Sequence, residues 1–207
     1  MRGLDQIVDP QVQAAALAGL FLAIGWVVNG REQRRVAAGL RDERVRDVLR
    51  ALYSEIRAYV SVLRRDAIGE NGAALRDRIE REPGFFPIIP TERNATIFAS
   101  IVGDISILPD GAIHSVVLYY SQIVAIEALI SDLRALDVAA VGGARAAALY
   151  ADYVLVKLEA AELGADALND IAEYLGYDPA PETTGMEDWA AAQRAAVNSR
   201  ASDPSVR

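Results

Sequence analysis

Apolar side chains recur along most of this chain at helical intervals, and nowhere do they alternate with the two-residue period of a strand. From Val12 to Val28 the pattern is continuous, seventeen positions with Gln13 as the single polar side chain. From Val36 to Leu63 it becomes a seam: Val45, Leu49, Leu52, Ile56, Tyr59 and Leu63 follow steps of four and three, and Val48, Tyr53 and Val60 broaden it. A strip wider than two heptad positions suits burial among several helices better than a two-stranded coiled coil. Gly69 and Gly72 predict a break, followed by a short charged helix from about Ala73 to Glu82 that Pro83, Gly84, Pro87 and Pro90 end.

Further on, Thr91 reads as the N-cap of a helix over Glu92 to Leu108, and Pro109 starts the next one. From Asp110 to Leu136, residues Ile113, Val116, Val117, Tyr120, Ile123, Val124, Ile130 and Leu133 mark an inward side. Gly142 and Gly143 supply a turn. A last long helix over Ala144 to Leu175 places Leu149, Tyr153, Val156, Ala160, Leu163 and Ala167 in another seam. The fold class expected is all-α: one N-terminal transmembrane helix followed by an antiparallel cytoplasmic helical bundle, because short connections force neighbouring long helices to run in opposite directions. The divisions are a short segment 1–10, the transmembrane helix 11–29, the bundle domain 30–176 and a flexible tail 177–207, in which Met186 to Ser199 forms at most a transient helix.

The membrane assignment rests on energy and length. Eight Leu, Ile, Val or Phe side chains in the Val12–Val28 run contribute about −2 to −5 kcal/mol on a translocon scale. As a helix from Gln11 to Asn29 it spans roughly 28 Å, close to the hydrocarbon thickness of about 30 Å. Leu17, Leu20, Phe21, Leu22, Ile24 and Trp26 are the anchor residues, with Trp26 at the headgroup boundary. A signal peptide would show a basic start and small residues before a cleavage site, whereas Arg2 stands with Asp5 and Asp9, and Val27, Val28 and Asn29 close the run. Arg31, Arg34 and Arg35 form a juxtamembrane basic cluster, which places the N-terminus outside and the C-terminal domain in the cytoplasm of a single-pass inner-membrane protein. Ala15, Gly19 and Ala23 form a small-xxx-small face through which two spans can dimerise.

Charge adds a gradient. Residues 31–65 hold ten Arg and five acids, whereas residues 91–207 hold seven basic and seventeen acidic residues. Basic residues close to anionic lipid are favoured by on the order of 1 kcal/mol each. The net charge of −8 opposes binding to nucleic acid. Nearly all basic residues are Arg and Ala is abundant, the composition of a GC-rich bacterial genome.

Chemistry is sparse. With no cysteine and one histidine, His114, the chain lacks disulfides, thiolate metal sites, Cys nucleophiles and His clusters. Gly142 and Gly143 fit no phosphate-cradling loop. No catalytic, cofactor-binding or metal-binding residue is therefore assigned. Asn94-Ala95-Thr96 fits a glycosylation sequon but falls in the helix expected there. The segment Pro83 to Pro90 is a stiff apolar connection that covers one end of the core, and Tyr53, Tyr59, Tyr120 and Tyr153 each require a hydroxyl partner if buried. The function expected is binding: a membrane-anchored adaptor, assembly factor or sensor component whose partners are the bilayer, another protein and a second copy of itself. Two alternatives are a membrane-active, pore-forming oligomer and a metal-binding or enzymatic bundle using the acidic stripe Glu159, Glu162, Asp166, Asp170 and Glu173.

Overall fold

A computed structural model describes residues 10–199, and the side chains of 10–25, 27–32 and 199 are outside that description. The described residues form seven α-helices and one 3₁₀ helix, with no strand. These are α1 (Pro10–Arg65), α2 (Ile68–Arg81), α3 (Thr96–Ile101) running into the 3₁₀ helix (Val102–Ile107), α4 (Asp110–Arg134), α5 (Val138–Val141), α6 (Gly143–Leu175) and α7 (Met186–Ser199). The chain divides into two compact units, Met1–Val45 and Arg46–Arg207.

In the first unit α1 is helical from Pro10, a residue suited to a first helical position because its missing N–H would have no partner there. Residues 33–44 are all exposed, Val36 and Leu40 included, and Trp26 is 81% exposed. The side chains of Ala15, Leu17, Gly19, Leu20, Phe21, Leu22, Ala23, Ile24 and Arg31 lie outside the described residues.

The second unit is built along α6. Gln122 of α4 donates to the Val156 carbonyl at 3.2 Å and to Glu159 at 2.9 Å, while Tyr119, earlier in α4, meets Gly164, later in α6. Those two helices run in opposite directions, as the short connection between them predicts. The later part of α1 also opposes α6: Tyr53 stacks edge-on against Tyr177 at 5.8 Å, and Val60 abuts Gly164. Helices α1 and α4 therefore run the same way although Glu55 and Tyr120 join them, which corrects the expectation that neighbouring long helices alternate. The segment between them is long enough to carry the chain back: it passes Tyr150 at Phe86 and Arg134 at Ile89.

The α1 seam is buried from Val45 to Leu63, as its spacing predicts. The break after it comes earlier than expected, at Ala67, whose φ of 42° is left-handed and strained for a residue with a Cβ. Gly69 and Gly72 lie inside α2 instead. Their role is close approach: a Cβ on Gly69 would stand 2.5 Å from the Gln193 carbonyl oxygen, and one on Gly72 would stand 2.6 Å from Val154.

Thr91 caps no helix. Residues 91–95 are irregular and α3 starts at Thr96, because Glu92 is drawn inward and the first N–H groups of α3 are met by Glu55 of α1 at 2.7 and 3.3 Å. The sequon asparagine Asn94 therefore lies outside any helix. On α4 the inward face is Ala112, Ser115, Val116, Tyr119, Tyr120, Ile123, Ile126, Ile130 and Leu133; Val117 and Val124, expected inside, are exposed. On α6 Tyr153, Ala160 and Ala167 are buried, but Leu149, Val156 and Leu163 are only half-buried, since the buried strip is wider and centred on Leu158, Ala161, Gly164 and Leu168. Within the proline-rich connection Ile89 is buried and Ile88 is 94% exposed.

The tail also differs. Residues 177–199 are folded, with α7 burying Met186, Ala190, Gln193 and Val197 against α2 and α6. These four are one face of a helix, but two are small or polar, so the segment's low hydrophobicity concealed the contact. Helix α4 is long and apolar enough to cross a membrane, with a mean hydropathy of 1.5 in an 18-residue window of which 39% is buried.

The close approach at α6 is testable by calorimetry. Gly164→Ala drives a Cβ to 2.5 Å from Val60 and is expected to destabilise by about 1–3 kcal/mol. Gly111→Ala, in open space on α4, is expected to be neutral or to stabilise by up to about 1 kcal/mol.

Candidate functional site

The extended stretch before α3 delivers Glu92 into the space between α1 and α6. One of its oxygens accepts from the Tyr59 hydroxyl at 2.6 Å and from Asn94 at 3.2 Å; the other accepts from Lys157 at 2.7 Å and from the Tyr153 hydroxyl at 3.3 Å. Burial by itself raises the pKa of Glu92, but hydrogen bonds from Lys157 and Tyr59, with the charge of Lys157, outweigh it and hold the carboxyl below its ordinary value. Burial and the adjacent Glu92 push the Tyr59 phenol far up, so it stays protonated and donates. Beside this group, Tyr120 donates to Glu55 at 2.6 Å and stacks on Phe98 at 4.0 Å.

Three of the four tyrosines singled out in the sequence thus end on carboxylates, and Tyr53 packs on Tyr177. Tyr119 was not foreseen. Its hydroxyl is the one buried side-chain polar atom among the described residues without a hydrogen-bond partner. Lys157 also went unremarked, although as the only lysine beside twenty arginines it was the visible signal. A carboxylate held charged among phenols held neutral is a clamp between helices. Neither is poised to exchange a proton near neutral pH.

A cavity of about 600 Å³ lies between α6 and the start of α7, lined in part by Glu159, Glu162, Asp166, Thr183, Asp188 and Arg194. It takes up most of the acidic stripe. Glu162 is bridged by Arg194, at 2.8 Å for one of the two contacts, and Glu159 accepts from Gln122. Burial, then Asp170, Glu162 and Glu187, raise the pKa of Asp166. Among the described residues no three acidic or histidine side chains are placed together to hold a metal ion. His114 is exposed on the outer side of α4, and Arg34 and Arg35 are exposed on α1.

The C-terminal segment supplies further links that local spacing does not disclose. Gln193 accepts from the N–H groups of Gly69 at 3.0 Å and Glu70 at 3.3 Å, capping α2. Arg64 donates to the carbonyls of Glu182 and Thr184 at 2.6 and 2.9 Å, and Arg57 pairs with Glu182 at 3.0 Å.

The Glu92 clamp predicts an acid-sensitive fold. Its folded pKa is lowered, so its contribution is complete above the unfolded value of 4.5 and is lost as pH falls from there through the folded value. Glu92→Gln is expected to cost about 1.5–3 kcal/mol at neutral pH and to flatten the loss of stability below pH 4.5, measured by chemical denaturation across pH.

In comparisons with known proteins, no family model, no curated protein and no solved structure matches this chain.

Proposed function

We propose that this is a single-pass membrane protein, its N-terminus outside and its second unit in the cytoplasm, which works by binding another protein as an adaptor, assembly factor or sensor component. The observation that carries the reading is the Val12–Val28 run, apolar but for Gln13 and followed at once by Arg31, Arg34 and Arg35. In water such a run leaves eight large apolar side chains to be covered, and lipid covers them at a gain of about 2–5 kcal/mol. The exposure of Trp26 and of every residue over 33–44 supports it, since a stalk leaving the headgroups carries solvated side chains. The basic flank sets the orientation.

Binding in preference to catalysis is supported by the use made of the inner polar groups. Glu55, Glu92 and Lys157 are each engaged in joining one helix or segment to another. In this reading the helical bundle is a rigid platform, and its function lies on its outer faces. The small-xxx-small face of the span, Ala15, Gly19 and Ala23, adds a route to self-association within the bilayer.

Carbonate extraction of membranes and protease treatment of sealed spheroplasts test the proposal together. The protein is expected to stay with the membrane after carbonate, and a C-terminal epitope to resist protease until the cells are lysed. Removal of residues 1–30 is expected to release the remainder into the soluble fraction. Recovery of the intact chain as a soluble particle, or digestion of the epitope in sealed cells, overturns it.

A further inference from the structure

The C-terminal segment is seated by donors and acceptors more than by bulk. Among its described residues α7 buries Met186, Ala190, Gln193 and Val197, of which two are large and apolar, whereas α4 buries both Tyr119 and Tyr120 and a run from Ile123 to Leu133. The ties run one way. Arg57, Ser61 and Arg64, at steps of four and three on one face of α1, donate to the Glu182 carboxylate and to the Glu182 and Thr184 carbonyls. Gly69 and Glu70 donate their N–H groups to Gln193, and Arg76 donates to the Val197 carbonyl. Helices α1 and α2 thus supply donors, and the segment from Glu182 to Val197 supplies acceptors. Arg194, bonded to Glu162 of α6, runs the other way.

The start of α2 has little support of its own. Ala67 stands before it in the left-handed region and offers no side-chain cap, while Gly69 in its first turn and Gly72 in the next both weaken a helix. Two of its first N–H groups are met by Gln193 instead. Such a turn holds only while α7 is seated. We infer that residues 177–199 are a latch: they open as one unit, release the first turn of α2 and uncover the basic face of Arg57 and Arg64 on α1, while α4 and α6 stay folded. Segments with few buried apolar contacts are the ones that open locally. Arg57 and Glu182 keep 44% and 21% of their side-chain surface in water, so salt screens the pair and loosens the latch. Gly176 and Gly185, at φ of 73° and 64°, bound the connection to α7 and give it hinges that a larger residue would resist. Every contact named lies within the second unit, so opening does not depend on the membrane anchor.

Hydrogen exchange on the full-length protein, resolved to peptides by mass spectrometry, reads the opening. Peptides covering 68–72 and 186–199 are expected to exchange faster than those of α4 and α6, and raising the ionic strength from about 0.05 M to about 0.5 M is expected to speed both by one common factor. Glu182→Gln separates a single unit from independent parts. Glu182 bonds to α1, yet its variant is expected to accelerate 186–199 and 68–72 equally, by about three- to tenfold, with α4 and α6 unchanged. Unequal factors or none, in either experiment, overturn the latch, and so does an α7 that exchanges as slowly as α4 and α6. Gly69→Ala gives a second reading, because alanine favours a helix while its Cβ would stand 2.5 Å from the Gln193 carbonyl oxygen. That variant is expected to leave α7 exchanging freely on a protected core. An α7 still protected, or protection lost in α4 and α6 as well, overturns the inference.

Discussion

How closely helices can approach α6 governs the second unit. Its buried strip is made largely of alanine and glycine, with Ala160, Ala161, Gly164, Ala165 and Ala167 in succession, and small side chains let neighbouring backbones come near. Val60 and Tyr119 converge on Gly164 from two different helices, and Val154 does the same to Gly72 of α2. Close packing of this kind replaces bulk: contact over many small atoms recovers dispersion and excludes water as fully as a few large side chains would. The larger residues, Leu49, Leu52, Ile56, Ile123 and Ile126, complete the core from α1 and α4.

A second device compensates for weak local signals at helix starts. Neither Ala67 before α2 nor Ala95 before α3 offers a capping oxygen, and both helices take one from a distant part of the chain, Gln193 and Glu55 respectively. Two helices thus depend for their first turn on elements far away in sequence. The same logic places Glu92. A carboxylate on an irregular segment is costly to bury unless it is fully bonded, and the three donors from α1 and α6 make that stretch a strap across the helices.

The polar groups inside the unit are consumed by cohesion. The outer face of α4, where Val117, Leu118 and Val124 are exposed, and the solvated arginine-rich stretch of α1 are different kinds of surface. The acidic stripe of α6, which in sequence suggests a cation site, is divided between two neighbours: Arg194 of α7 takes Glu162, and Gln122 of α4 takes Glu159.

By itself the sequence determined what depends on neighbours three or four residues apart. The all-helical class, the seam from Val45 to Leu63, the long helix ending at Leu175 and the apolar run before Arg31 all follow from local periodicity, since each is the condition for one helical face to be uniform. Only the tertiary structure decided matters that turn on who comes near. Gly69 and Gly72 read as breakers because glycine weakens an isolated helix, yet they are tolerated inside α2 because nothing larger fits beside Gln193 and Val154. The region after Gly176 reads as a tail because its apolar residues are few, yet residues 177–199 fold because Gln193, Arg64 and Arg57 bind groups more than a hundred positions away in the chain. Periodicity likewise cannot tell which of two apolar faces of α4 is the inner one; the positions of α1 and α6 chose Tyr119 and Ile126 and left Val117 and Val124 outside.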